Sequence, residues 1–106
     1  MAELSTIYAK NKEIDLTAVS ETDKAVHQYV FSENKNIQKE GRFPVYLALS
    51  ELRRGLFNWY DFGSDAGILE IGGGYGALTG LFCERAAEVV VTERSLYRAQ
   101  IMQQRY

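Results

Sequence analysis

Ala66-Gly67-Ile68-Leu69-Glu70-Ile71-Gly72-Gly73-Gly74-Tyr75-Gly76-Ala77-Leu78-Thr79 is the stretch whose reading decides the fold. Ile68 to Ile71 is an apolar run broken by one acid, the pattern of a buried strand end. Gly72 to Gly76 places four glycines in five positions. From Ala77 onward the pattern opens a helix. Glycines let the backbone turn sharply and approach a ligand closely. A helix N-terminus adds unpaired N–H groups and the positive end of the helix dipole. Strand, glycine loop and helix start thus form a corner suited to a nucleotide-like ligand.

Downstream, Leu78, Leu81 and Phe82 mark the buried face of a helix running from Ala77 to Arg85. Glu88-Val89-Val90-Val91-Thr92-Glu93 then reads as a second strand, and its valine run predicts burial on both faces, as in parallel sheets. Ser95 is a suitable cap for a last helix, with Leu96, Ala99, Met102 and Gln103 along one side. Strand, helix and strand joined by a short crossover predict a right-handed βαβ unit with two parallel strands.

Upstream, Ser20 is a helix cap with Asp23 three positions on, a weakened capping box. The helix it opens runs to about Phe31, with Ala25, Val26, Tyr29 and Val30 on one face. Ser32 to Gly41 is polar and reads as a loop or frayed helix end. Pro44 suits the first turn of a helix. Val45, Leu49, Leu52, Leu56 and Trp59 follow at steps of four, three, four and three, which predicts one continuous apolar stripe over about four turns. Asp61 to Gly67 ends that helix. Residues 1–19 carry only a weak pattern and predict a loose or partly helical start.

The fold class expected is therefore α/β: a partial Rossmann-like βαβ unit preceded by N-terminal helices. Residues 1–42 form an N-terminal helical or irregular segment, and residues 43–106 a helix plus the first βαβα part of a domain. Two parallel strands leave both sheet edges unpaired and are marginal alone. The expectation is thus the N-terminal piece of a longer protein. The 106 residues are 46% hydrophobic and 25% charged, a globular balance. The net charge of −2 does not point to nucleic acid or an anionic membrane. No apolar run approaches the ~20 residues of a membrane helix. Met1-Ala2-Glu3-Leu4-Ser5 lacks a signal-peptide pattern. The single Cys83 excludes an internal disulfide, and no Cys/His cluster suggests a metal. A cytoplasmic protein is expected.

The glycines lack the Gly-Lys-Ser/Thr of a P-loop. Gly72, Gly74 and Ala77 do match the dinucleotide form G-x-G-x-x-G/A, and Glu93 lies 21 residues beyond Gly72, where a ribose-binding acid belongs. Against that form stand Glu70, where an apolar strand residue is usual, and Gly76, which extends the alternate spacing 72-74-76. Leu69-Glu70-Ile71-Gly72-Gly73-Gly74-Tyr75-Gly76 resembles the first motif of class I S-adenosylmethionine-dependent methyltransferases. In that motif an apolar strand and an acid precede one apolar residue and G-x-G-x-G. Val90-Val91-Thr92-Glu93 resembles their second landmark, an acid ending the next strand. With Ala77-Leu78-Thr79 added, the motif is most similar to that of ribosomal RNA adenine dimethyltransferases.

The resemblance implies S-adenosyl-L-methionine as cofactor. It implies that Gly72, Gly73, Gly74, Tyr75 and Gly76 lie against its methionine part and ribose. Glu70 would then hold the cationic amino end, and Glu93 the two ribose hydroxyls. It assigns no catalytic residue within residues 1–106 and leaves the methyl acceptor open among small molecules, glycans and RNA. An NAD(P)-binding fragment and a catalytically inactive module remain the alternatives. Cys83, His27, Arg53-Arg54 and the aromatic pairs Trp59-Tyr60 and Tyr29-Phe31 read as packing or surface residues.

Overall fold

The computed structural model describes residues 18–106 apart from Asn34. The expected loose start thus lies, for residues 1–17, outside the described residues. Helix α1 spans Glu21–Val30. The Ser20 hydroxyl accepts the Asp23 N–H at 3.0 Å and the Asp23 carboxylate accepts the Ser20 N–H at 2.8 Å. This is a capping box in which aspartate replaces the usual glutamate. Val26 and Val30 are buried on the expected face. The polar stretch after α1 holds one 3-10 turn, Ile37–Lys39.

Helix α2 is short, Phe43–Leu49, with Pro44 in its first turn. The continuous helix expected through Trp59 does not form. Ser50 leaves the helical region at φ −69°, ψ 160°, and Glu51–Leu56 is a separate 3-10 turn. Val45 and Leu49 are buried, whereas Leu52, Leu56 and Trp59 are 66%, 63% and 78% exposed. The extended residue puts the following turn out of phase, and three residues per turn cannot hold a stripe spaced for 3.6. Polar ties hold this segment instead. Arg54 pairs with Glu84, and the Arg85 guanidinium donates to the carbonyl of Asn58 at 2.9 Å.

Strand β1, Gly67–Ile71, is followed by helix α3, Thr79–Arg85, and strand β2, Glu88–Thr92. The strands are parallel, registered from Gly67 opposite Glu88 to Ile71 opposite Thr92. The expected βαβ unit is present. Burial of the valine run on both faces is not. Ile68, Glu70, Val89 and Val91 share the covered face, while Leu69, Ile71 and Val90 are 61%, 81% and 50% exposed. Among the described residues the sheet carries a layer on one side only.

Helix α4, Leu96–Arg105, is capped by the Ser95 hydroxyl, which accepts the Arg98 N–H at 3.2 Å. Its buried face differs from the one expected: Ile101 and Met102 are buried and Gln103 is exposed. The helix turns toward α1 and α2, where Val26, Val30, Val45, Leu49 and Ile101 form the main core cluster. On α3, Leu81, Phe82 and Cys83 are buried, with Phe57 and Phe62 edge-on to Phe82 at 5.9 and 5.8 Å between ring centres. Among the described residues no helix is long and apolar enough to cross a membrane.

Candidate cofactor-binding site

Between β1 and α3 the chain takes a positive φ at Gly72, Gly74 and Gly76, at 76°, 61° and 86°. That region disfavours any residue with a Cβ, so the alternate glycines fix the shape of the loop. The N–H groups of Gly72 and Gly73 both donate to the carbonyl of Thr92, at 2.9 and 3.0 Å, and Gly76 donates to Gly73 at 3.0 Å. The loop is thus hung from the end of β2. Its two sides differ. Among the described residues, a Cβ at Gly72 or Gly74 would meet no atom within 4 Å. A Cβ at Gly73 would lie 2.8 Å from the Met102 sulfur, and one at Gly76 2.8 Å from the Tyr106 ring. Among the described residues one side is open; the other is filled by Val91, Met102 and Tyr106.

Glu93 follows β2 and reaches the loop. One carboxylate oxygen accepts the Gly74 N–H at 2.7 Å and the other the Ser95 N–H at 3.1 Å. A carboxylate offers about four acceptor positions, so each oxygen keeps a free lone pair. Glu70 lies on the covered face of β1, opposite Val91 in register. It accepts the hydroxyl of Thr79, the first residue of α3. Burial pushes the Glu70 carboxyl above its ordinary range, with the Thr79 hydrogen bond pulling the other way. Among the described residues neither acid forms an ion pair with a Lys or Arg. The structure therefore places Glu70, Gly72, Gly73, Gly74, Gly76 and Glu93 around one corner.

Tyr75 is set differently. Its hydroxyl donates to Asp23 on α1, and the Arg98 guanidinium stands 5.4 Å over its ring. Its side chain packs beside the helix core rather than on the open side of the loop. Asp23 is 1% exposed and also accepts from Arg98 Nε at 2.9 Å. Burial alone would raise its carboxyl. The hydrogen bonds from Tyr75, the Ser20 N–H and Arg98 outweigh that and lower it to about 2. Burial, then the bond to Asp23, push the Tyr75 phenol up to about 12.

Helix α4 holds the loop further, through Arg105 to the Tyr75 carbonyl and the Tyr106 hydroxyl to the Gly76 carbonyl at 3.0 Å. Sequence reasoning found Asp23 only as a cap and missed Thr79, Arg98, Arg105 and Tyr106 at this corner. Thr79 was within reach, because its position at the helix start after an acid-bearing strand end invites a hydroxyl–carboxylate bond. The α4 residues carried no such local signal.

Cys83 is buried, and burial raises its thiol above the ordinary value. His27 stacks on Phe31 at 4.2 Å. Among the described residues no group of three or more His, Cys, Asp or Glu could hold a metal. No protein-family model, curated protein or solved structure matches the chain at a significant level.

Proposed function

We propose that the chain binds S-adenosyl-L-methionine at the Gly72–Gly76 corner, as the N-terminal cofactor-binding portion of a methyltransferase. The observation that carries this reading is the Glu93 carboxylate at 2.7 Å from the Gly74 N–H, on a loop whose Gly72 and Gly74 are open. The donor set fits the group. Glu93 is anchored by one N–H at each oxygen and keeps lone pairs for two adjacent ribose hydroxyls. Glu70, which has no cationic partner among the described residues, offers negative charge that suits an amino or sulfonium group. Gly72 and Gly74 admit the ligand against the bare backbone. The cofactor itself supplies an electrophilic methyl on sulfur, so the chain's work is to hold and orient it.

A dinucleotide fits less well on a specific ground. Its pyrophosphate would sit at the start of the helix after the loop. The Glu70 carboxylate is already bonded there to Thr79 and repels an anion. Calorimetric titration of the chain with S-adenosylhomocysteine, S-adenosylmethionine and NAD tests the choice. Binding of the first two and none of NAD is expected; tighter binding of NAD overturns the assignment. Glu93→Ala removes a charge-assisted contact worth about 1.5–3 kcal/mol, so S-adenosylhomocysteine affinity should fall about 10- to 100-fold with the far-UV spectrum unchanged. Unchanged affinity would remove Glu93 from the site.

A further inference from the structure

A helix cap needs one side-chain oxygen that accepts one backbone N–H, and it works well exposed to water. Asp23 is built beyond that need. It is 1% exposed and collects donors from three segments: the Ser20 N–H, Arg98 Nε on α4 and the hydroxyl of Tyr75 in the glycine loop, 52 positions away. Burying a carboxylate is costly unless several donors meet it, so these contacts form as a set. Tyr75 is the one residue of Gly72–Gly76 with a side chain by which the loop can be gripped. Other contacts grip the loop as well. Arg98 lies over the ring, and Arg105 and the Tyr106 hydroxyl take the carbonyls of Tyr75 and Gly76.

We infer that Asp23 is a positioning residue of the cofactor corner: by fixing Tyr75 it holds the flanking Gly74 and Gly76 in the left-handed geometry that keeps the open side of the loop ready for the ligand. The inference rests on the cofactor reading above and extends it to α1. Because the tie and the ligand act on one loop, each stabilises the other. A preformed loop has less freedom to lose on binding, so breaking the tie costs affinity even though no ligand contact is removed.

The test uses the 106-residue chain and S-adenosylhomocysteine, with affinity by calorimetry, fold by circular dichroism and loop order by amide hydrogen exchange. Tyr75→Phe keeps the ring and deletes only the hydroxyl. It should weaken S-adenosylhomocysteine about tenfold and speed exchange of the Gly74 and Gly76 amides, with the spectrum intact. Asp23→Asn should do the same, and the double variant should lose no more than the worse single one, because both cut one link. If Asp23→Asn does not fold, Tyr75→Phe decides. A purely structural cap predicts otherwise: Asp23→Asn lowers the melting temperature while affinity and loop exchange stay those of the unsubstituted chain, which would overturn the inference. Binding by the unsubstituted chain with equal binding by Tyr75→Phe sinks the positioning role alone. No binding by the unsubstituted chain sinks the cofactor reading and this role with it.

Discussion

Asp23 carries a charge that the folded chain stabilises, and that gives it a signature in acid. Its carboxyl is held at about 2, below the ordinary 3.8. A group whose folded value is depressed contributes stability above its unfolded value and loses it as pH falls through the folded one. The contribution is therefore full above about pH 4 and vanishes toward pH 2, and a drop of that size corresponds to about 2 kcal/mol. Asp23→Asn should be less stable at pH 7, and its urea midpoint should fall less than that of the unsubstituted chain between pH 4 and pH 2. Tyr75 has the opposite sense, its phenol raised to about 12. Its share of stability is intact below pH 10 and lost as pH rises toward 12, so Tyr75→Phe should flatten the alkaline limb of the same curve. At this scale the sequence was legible where partners are close or regularly spaced. Ser20 and Asp23 sit three apart, and Glu93 ends a strand at a fixed distance from the glycines. The Tyr75–Asp23 and Arg98–Asp23 bonds join positions with no shared periodicity, and only the docking of α1 on α4 creates them.

The βαβ unit was legible because its parts are consecutive: each strand, loop and helix is specified by neighbours in sequence, and the parallel register follows from the short crossover. The long helix was misread because its apolar spacing is real while its backbone is not continuous. Ser50 breaks it, and the stripe splits into a buried half and an exposed half. Leu49 and Leu52 lie on either side of that break, at 7% and 66% exposure. Leu49→Ala should cost about 2–4 kcal/mol of unfolding free energy, as a truncation in a packed site. Leu52→Ala should stay within about 0.5 kcal/mol, as a surface change. Equal losses in denaturant titrations would restore the continuous helix. The glycine loop allows a parallel comparison. Gly73 faces Val91 and Met102, so Gly73→Ala should overpack and cost about 1–3 kcal/mol. Gly72→Ala meets no atom of the described residues and should cost only the backbone strain of a positive φ, about 1–2 kcal/mol.

Among the described residues a cluster of buried apolar side chains sits where α1, α2 and α4 meet around Ile101. The sheet supplies the glycine-loop corner at one end and, among the described residues, an exposed apolar face made by Leu69, Ile71 and Val90. A valine-rich strand in sequence cannot say how many faces are covered, because burial on a face depends on which other elements reach it. That is why β2 reads as doubly buried and folds singly buried. The distribution of stability follows from the same geometry. Ile101 is 0% exposed and Ile71 is 81% exposed, although both are isoleucines in regular elements. Truncating Ile101 leaves a cavity beside the four other buried side chains of its cluster, so Ile101→Ala should lower the unfolding free energy by about 2–5 kcal/mol. Ile71→Thr keeps a β-branched residue in the strand and uncovers no core, so its effect should stay within about 0.5 kcal/mol. The two variants, compared by urea midpoint at equal slope, locate the core of the chain. A loss at Ile71 as large as at Ile101 would mean that the outer face of the sheet is covered in solution, and the helical cluster would no longer be the main source of stability.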